Sequence, residues 1–310
     1  MPPEGVAGAI AGVPVRDTYA EAFTMWATRL VITAATPGWA RTAADSLTGF
    51  ATSVIGCKLE AGVEAELEPA ETPDGRPGIA VLLFAFNAEE LAKRVPERVG
   101  QTVLTCATTA CFDGLADAPQ RVALGKLLRH FGDRFQSSKR LLGRRYWRIP
   151  VMEGEFLVEE SVGAQKAVGG GNFLILARDV DAALGAAEAA VAAMRRVPGV
   201  ILPFPGGVVR SGSKVGARRY KKMIASTNDA WCPTLRGRRR VKSELPEAVG
   251  SVLEIVVDGL DKGAVAASLR AGIAAACRPG VVEISAGNYG GKLGKHLFPL
   301  KELVAPEGRA

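Results

Sequence analysis

Residues 251–285 read SVLEIVVDGLDKGAVAASLRAGIAAACRPGVVEIS, and their periodicity changes twice. In the opening run, Leu253, Ile255 and Val257 share one face at the two-residue spacing of a strand, and Val252, Glu254, Val256 and Asp258 share the other. An alanine-rich stretch without proline follows, which predicts a helix over Lys262–Cys277. Val281–Ser285 is again short and apolar. The order is strand, helix, strand. Its last strand opens into Pro279–Lys295, PGVVEISAGNYGGKLGK, which holds five glycines. A strand running into glycines brings bare backbone close to a ligand. Residues 198–214, PGVILPFPGGVVRSGSK, repeat that plan.

The same order recurs upstream. Arg29–Thr33, Pro37–Thr48 and Phe50–Cys57 read as strand, helix and strand, with Thr36 as N-cap, Pro37 at the first helical position and Gly49 past the end. Gly78–Phe86, Ala88–Val95 and Gln101–Cys106 repeat it, with Asn87 as the cap and Pro96 as the stop. Residues 71–78, ETPDGRPG, form the turn between these two units. Asp117–Arg148 is the most polar stretch and reads as an insertion or hairpin. Phe173–Ala177, Val180–Arg196 and Val200–Pro203 begin the second half. Two such units per half predict an α+β protein of two ferredoxin-like lobes, residues 1–150 and 151–310. A single doubly wound sheet needs a glycine-rich turn after its first strand. Here that turn is Thr33–Pro37 followed by the single glycine Gly38.

Composition narrows the chemistry. The chain has 310 residues, 48% hydrophobic and 23% charged, as in a globular protein. No apolar run approaches the ~20 residues of a membrane span, and the opening MPPEGVAGAIAGVPVRD lacks the basic start of a signal peptide. Five scattered cysteines point to a reduced, cytoplasmic protein. Two histidines, His130 and His296, make a histidine-based zinc site or a Ser-His-Asp triad improbable. Net charge is +7, and much of it is clustered, in Lys139, Arg140, Arg144, Arg145 and Arg148 and in Arg236, Arg238, Arg239, Arg240 and Lys242. Solvated loops or an anionic partner account for such clusters equally.

Glu254 is an acid inside an otherwise apolar strand. On a solvated sheet face it is an ordinary carboxylate. On a covered face burial raises its pKa and suits it to general acid/base work. Neither glycine segment has P-loop spacing, and Thr227-Asn228-Asp229 reads equally well as a turn or cap.

Eight motifs in order carry a resemblance through nearly the whole chain. They are DTYAEAF at 17–23, ETPDGRPG at 71–78, EGEF at 153–156, GGNF at 170–173, FPGG at 204–207, SKVG at 213–216, ASTNDA at 225–230 and ISAGN with GGKLG at 284–294. In these the sequence resembles the formylmethanofuran:tetrahydromethanopterin formyltransferases. The resemblance implies transfer of a formyl group between N5 of tetrahydromethanopterin and the amine of methanofuran, in one-carbon metabolism. It implies two ferredoxin-like lobes, no metal, no redox cofactor and a homotetramer. In methylotrophs it implies work beside formylmethanofuran hydrolase subunits, releasing formate. It makes Glu254 the general acid/base; beside it the candidate substrate-binding residues are Gly206, Gly207, Ser213, Lys214, Ser226, Thr227, Asn228 and Asp229. From the second glycine segment the candidates are Ser285, Gly287, Asn288, Gly290, Gly291 and Lys292, with Lys214 and Lys292 equally readable as surface charges. Backbone N–H groups at Gly206-Gly207 or Gly290-Gly291, or the amides of Asn228 or Asn288, are the expected oxyanion donors. The basic clusters then face the anionic, glutamate-rich tail of methanofuran. A noncatalytic scaffold of the hydrolase complex and a nucleic-acid-binding module are the competing classes. The second is disfavoured because Phe204 and Tyr289 stand without the aromatic partners that stack bases.

Overall fold

The computed structural model describes residues 5–141 and 143–305. Residues 1–4, on which the reading of the N-terminus rests in part, lie outside these. Two long strands, Tyr19–Thr33 and Ser161–Ala177, form the spine of a large mixed sheet. They pair antiparallel where they meet, Ala27 opposite Gln165 and Phe23 opposite Gly169. Beyond the meeting point each collects its own neighbours. Tyr19–Thr33 takes Gly78–Ala85 on one side and Ala110–Asp113 on the other, and Glu60–Leu67 pairs outside Gly78–Ala85. Ser161–Ala177 takes Ser251–Gly259 and Val281–Ser285, and Val200–Ile201 pairs outside Ser251–Gly259. All these pairings are antiparallel, and the two sets have the same spatial order.

Among the described residues there are seven α-helices. The three longest that pack on the sheet start as the sequence predicts. Thr36 Oγ1 accepts from Trp39 N at 3.3 Å, Asp179 Oδ1 from Ala182 N at 2.8 Å and Asp261 Oδ1 from Ala264 N at 2.9 Å. Each cap satisfies a donor that the helix itself leaves open. Val180–Met194 and Lys262–Ala276 pack against one another and against the sheet through Ala187, Ala190, Met194, Leu269 and Ile273.

Two expected strands are not strands. Within Phe50–Cys57, Ser53 caps a single helical turn, Val54–Cys57, and the strand lies later at Glu60–Leu67. That strand alternates glutamates with small apolar residues, so it carries little hydrophobic signal. Gln101–Cys106 fails because Pro96 does not stop its helix. Ala88–Arg98 runs through Pro96 into a wide turn, Val99–Val103, whose valines are buried, and the strand is Ala110–Asp113. Within the polar stretch 117–148, Ser137–Leu141 pairs with the start of Arg144–Val151 as a hairpin.

Two apolar cores result. One is built from residues of the 30–164 span, with Leu30, Leu83, Leu91 and Phe156. The other gathers Phe173, Met194, Ile255 and Ile273, joined by Val13, Val15, Ala20 and Ala22 from the start of the chain. Segment 204–250 contains only short turns and a small hairpin, yet Leu245 and Val249 bury against Leu174 and Leu176. It therefore covers the sheet face opposite the helices. Phe173 is fully buried between sheet and helices. Phe173→Ala should cost about 3–5 kcal/mol, read as a lower urea midpoint at unchanged slope.

Candidate active site

Ser251–Gly259 positions the principal acid. Ile255 and Val257 enter the core, which turns Glu254, Val256 and Asp258 to the other face. Val209 then bridges across that strand. Val209 N donates to Glu254 O at 2.8 Å and Glu254 N to Val209 O at 3.0 Å. The face is covered, so the Glu254 carboxyl is partly buried and burial pushes its pKa up to about 7. Near neutrality such a group is present in both its acid and its base forms.

Two cavities meet at Glu254. One has a volume of about 310 Å³ and is bounded by Ser211–Lys214, Asn228, Trp231 and Asn288. The other, about 460 Å³, is bounded by Phe23, Met25, Val54, Glu60, Phe86 and Leu293. Asn172, Val209, Ser211, Ser213, Glu254 and Tyr289 border both. Each is large enough to hold the reactive end of a small molecule. Burial and the negative charges of Glu254 and Glu21 raise the pKa of Tyr289, so its hydroxyl remains a proton donor.

The glycine segment after Val281–Ser285 is held from beneath by Glu21. Its Oε2 accepts from Tyr289 N at 2.7 Å and Gly291 N at 2.9 Å, and its Oε1 from Leu293 N at 2.7 Å and Gly294 N at 2.5 Å. Burial acts to raise the Glu21 pKa, but these four donors outweigh it and hold the carboxyl below the usual glutamate value. Glycine is required at 294, where a Cβ would run into the backbone oxygen of Ala22, and at 290 and 291, where φ is +70° and +71°. Asn172 fixes the same segment from the side. Its Oδ1 accepts from Gly287 N at 2.6 Å and its Nδ2 donates to Gly287 O at 3.1 Å.

The expected residues divide accordingly. Ser213, Lys214, Asn228, Gly287 and Asn288 border the cavities at Glu254. Lys214 is paired with Asp229, which also meets Arg218 at 3.0 Å. Asn288 donates to Thr18 Oγ1 at 3.2 Å and Tyr19 O at 3.3 Å. Ser226 donates to Gly216 O at 2.6 Å, and Thr227 pairs with Ser213 in the small hairpin. Gly206 borders a different cavity, and Gly207 N donates to Phe204 O at 2.7 Å. Gly290 N goes to Asn288 Oδ1 at 3.2 Å and Gly291 N to Glu21, so both expected backbone donors are already engaged. Ser285 is buried and Lys292 is exposed, and neither borders the cavities.

Sequence reasoning passed over Glu21, Glu60, Asn172 and Tyr289. Asn172 carries the signal that singled out Glu254, a polar side chain inside an apolar strand, and it lies opposite Val256 in register. Among the described residues there is no group of three or more His, Cys, Asp or Glu able to hold a metal ion, and no helix long and apolar enough to cross a membrane. All five cysteines are free.

The fold is a mixed α/β one, and an ionisable carboxyl at the junction of two cavities is able to exchange a proton with a molecule bound in either. Comparison with known proteins makes this specific. The family model described as formylmethanofuran-tetrahydromethanopterin formyltransferase matches residues 9–151, and the model of that family's proximal lobe matches residues 154–303. The chain belongs to this family. It is 59% identical to the formylmethanofuran--tetrahydromethanopterin formyltransferase of Methylococcus capsulatus, over 96% of this chain and 99% of the relative. It is 54% identical to a subunit of the formyltransferase/hydrolase complex of Methylorubrum extorquens, over 94% and 96%. Among solved structures it resembles a chain of the formyltransferase/hydrolase complex from Methylorubrum extorquens in complex with methylofuran. The TM-score is 0.93 at 53% identity, covering 96% of this chain and 99% of that one. The formyltransferase from Methanosarcina barkeri gives 0.91 at 49% identity, covering 96% and 100%.

Glu21→Ala should leave four backbone donors without their acceptor, at about 1–3 kcal/mol for each that stays buried. Amide hydrogen exchange at Tyr289, Gly291, Leu293 and Gly294 should accelerate in that variant while the helices keep their protection. Because the folded-state pKa of Glu21 lies below its unfolded value, its contribution is complete above the unfolded pKa of about 4.3 and is lost as pH falls through the folded one. Protection factors at the same four amides in the wild type, corrected for intrinsic exchange, should therefore fall selectively in acid.

Proposed function

We propose that the protein is an acyltransferase that moves a formyl group between N5 of tetrahydromethanopterin and the primary amine of methanofuran, a step of one-carbon metabolism. The observation that carries this reading is the Glu254 carboxyl, brought near neutral pKa at the point where two cavities join. Formyltransferases similar over almost the whole chain support the choice of acyl group and substrates.

The chemistry asks little of the protein beyond positioning and one proton carrier. The neutral nitrogen of the acceptor attacks the formyl carbon. A C–N bond forms and the carbonyl π electrons move to oxygen. Glu254 as carboxylate takes the proton from the attacking nitrogen. As carboxylic acid it returns a proton to the departing nitrogen when the second C–N bond breaks and the carbonyl re-forms. No side chain needs to become acylated. With the glycine-loop donors engaged by Glu21 and Asn288, the oxyanion falls to the Asn228 amide at the smaller cavity and to the hydroxyls bordering both cavities, those of Ser211, Ser213 and Tyr289.

The wider architecture fits two ferredoxin-like lobes divided near 150/151. The repeated strand order and the boundary between the two family models support this, with Val13–Ala22 crossing into the second core. The relative found in a complex with hydrolase supports assembly with hydrolase subunits, and we extend this to a cytoplasmic homo-oligomer. For the anionic methanofuran tail, the segment beyond Trp231 is the better of the two basic clusters. Arg144, Arg145 and Arg148 already pair with Glu159, Glu160 and Glu155. Arg238, Arg239 and Arg240 are exposed, on the chain that leaves the smaller cavity at Thr234.

Purified protein should transfer formyl from formyl-tetrahydromethanopterin to methanofuran in an amine-dependent reaction; no transfer would leave the scaffold reading. Glu254→Gln should lower kcat by about 10²–10⁴ with the fold intact. The wild-type kcat profile should show an ionisation near pH 7 that the variant lacks, and wild-type turnover in the variant would exclude Glu254. The KM for methanofuran should rise with ionic strength, while that of a tail-less amine analogue stays nearly flat. Equal salt responses would assign the arginines to another partner.

A further inference from the structure

Val13 and Val15 bury in the second core, which by the two-residue period of a strand turns Arg16 to the opposite face. Val15 pairs with Ile284, which lies in the same core, so Glu283 comes to the same side as Arg16. This is the face that segment 204–250 covers. The Arg16 guanidinium meets three residues there. Its Nε donates to Glu283 Oε1. Its Nη2 donates to Glu244 O at 3.2 Å, and its Nη1 lies 3.6 Å from Glu244 Oε2. Its central carbon lies over the ring of Trp231, 5.1 Å from the centroid.

Trp231 belongs to the wall of the smaller cavity, which it borders together with Asn228, Thr234 and Glu254. The turn that carries it, Asp229–Trp231, is short and lies outside any strand. Trp231 N donates to Asn228 O at 3.1 Å, and Glu244 N donates to Ala230 O at 3.0 Å. Arg16 therefore grips the turn twice, through the indole and through Glu244. The tie joins this wall to the strands Val13–Arg16 and Val281–Ser285. A partly exposed ion pair contributes little by itself. A planar guanidinium held by two glutamates and laid on an indole sets the angle of the ring. Both substrates of formyl transfer present a flat ring, the pterin and the furan, and an aromatic wall favours one orientation of such a ring over the rest.

We propose that Arg16 is a positioning residue of the smaller cavity: by fixing the Trp231 ring it raises the affinity for the one substrate which that cavity takes, with no part in the chemical step. Arg16 itself does not border the cavity, so its effect passes through Trp231. The assignment rests on the formyl-transfer reading and adds to it a residue outside the cavities on which substrate orientation depends.

The test is equilibrium binding of methanofuran and of unformylated tetrahydromethanopterin, each alone, by calorimetry, with kcat measured at saturating substrates. The proteins are wild type, Arg16→Met, Arg16→Lys, Trp231→Ala and the Arg16→Met/Trp231→Ala double variant. Arg16→Met should weaken one of the two substrates about tenfold and leave the other within about twofold. Trp231→Ala should weaken the same substrate at least as much, and the double variant no further than Trp231→Ala. Arg16→Lys keeps a charge beside Glu283, which guards against loss of the fold, and should weaken that substrate by a smaller factor. The kcat of both Arg16 variants should stay near wild type. Unchanged affinities in both Arg16 variants overturn the assignment. So do equal losses for both substrates, losses at Arg16 and Trp231 that fall on different substrates or add in full, and a kcat that falls with the affinity. Wild-type formyl transfer is the separate check: its absence refutes the reading on which the assignment rests, and its presence with any of the preceding outcomes refutes the assignment alone.

Discussion

The arrangement of the site depends on the carboxylate of Glu21. It sits on the first long strand, far in sequence from the loop it organises. By taking four backbone N–H groups it converts a glycine segment with few side-chain contacts of its own into a fixed wall. Hydrogen bonds to an ionised acceptor are stronger than neutral ones, about 1.5–3 kcal/mol each. The glycines make the contact possible, since a side chain at 294 would collide with the strand below. The bonds that hold the loop also withdraw its backbone donors from a ligand. The loop therefore shapes the site through Tyr289, Asn288 and Gly287, which border the cavities.

Three carboxyl groups within one cavity are shifted by different surroundings. Glu21 is kept ionised by donors. Glu254 is brought to about 7 by burial without compensation. Burial pushes up the pKa of Glu60 and of its buried neighbour Asp258. Separation of this kind lets a carboxyl that can exchange its proton and a structural anion stand side by side at one pH.

Much of this is legible in the chain. Thr36, Asn87 and the alanine-rich segments mark helices because caps and propensity are local properties. Glu254 stands out because an acid breaks an apolar alternation. Glu60–Leu67 does not, because a strand alternating glutamate with alanine or valine looks like surface until the partners of its glutamates are known. Pro96 reads as a stop, yet the buried Val99 and Val103 carry the chain on past it in a wider turn. Tyr289 and Asn172 lie inside motifs whose glycines draw attention from their polar neighbours.

The alternation of strands and helices, the acid at 254, the poverty in histidine and the family to which the motifs point are read directly from the chain. These follow from local periodicity, residue chemistry and the order of short segments. Folding is what covers the face carrying Glu254, brings Glu21 to the glycine-loop donors and sets Glu60 beside Asp258. Each of these joins residues far apart in the chain. A carboxyl's protonation is set by the donors, charges and low-dielectric surroundings that folding brings to it.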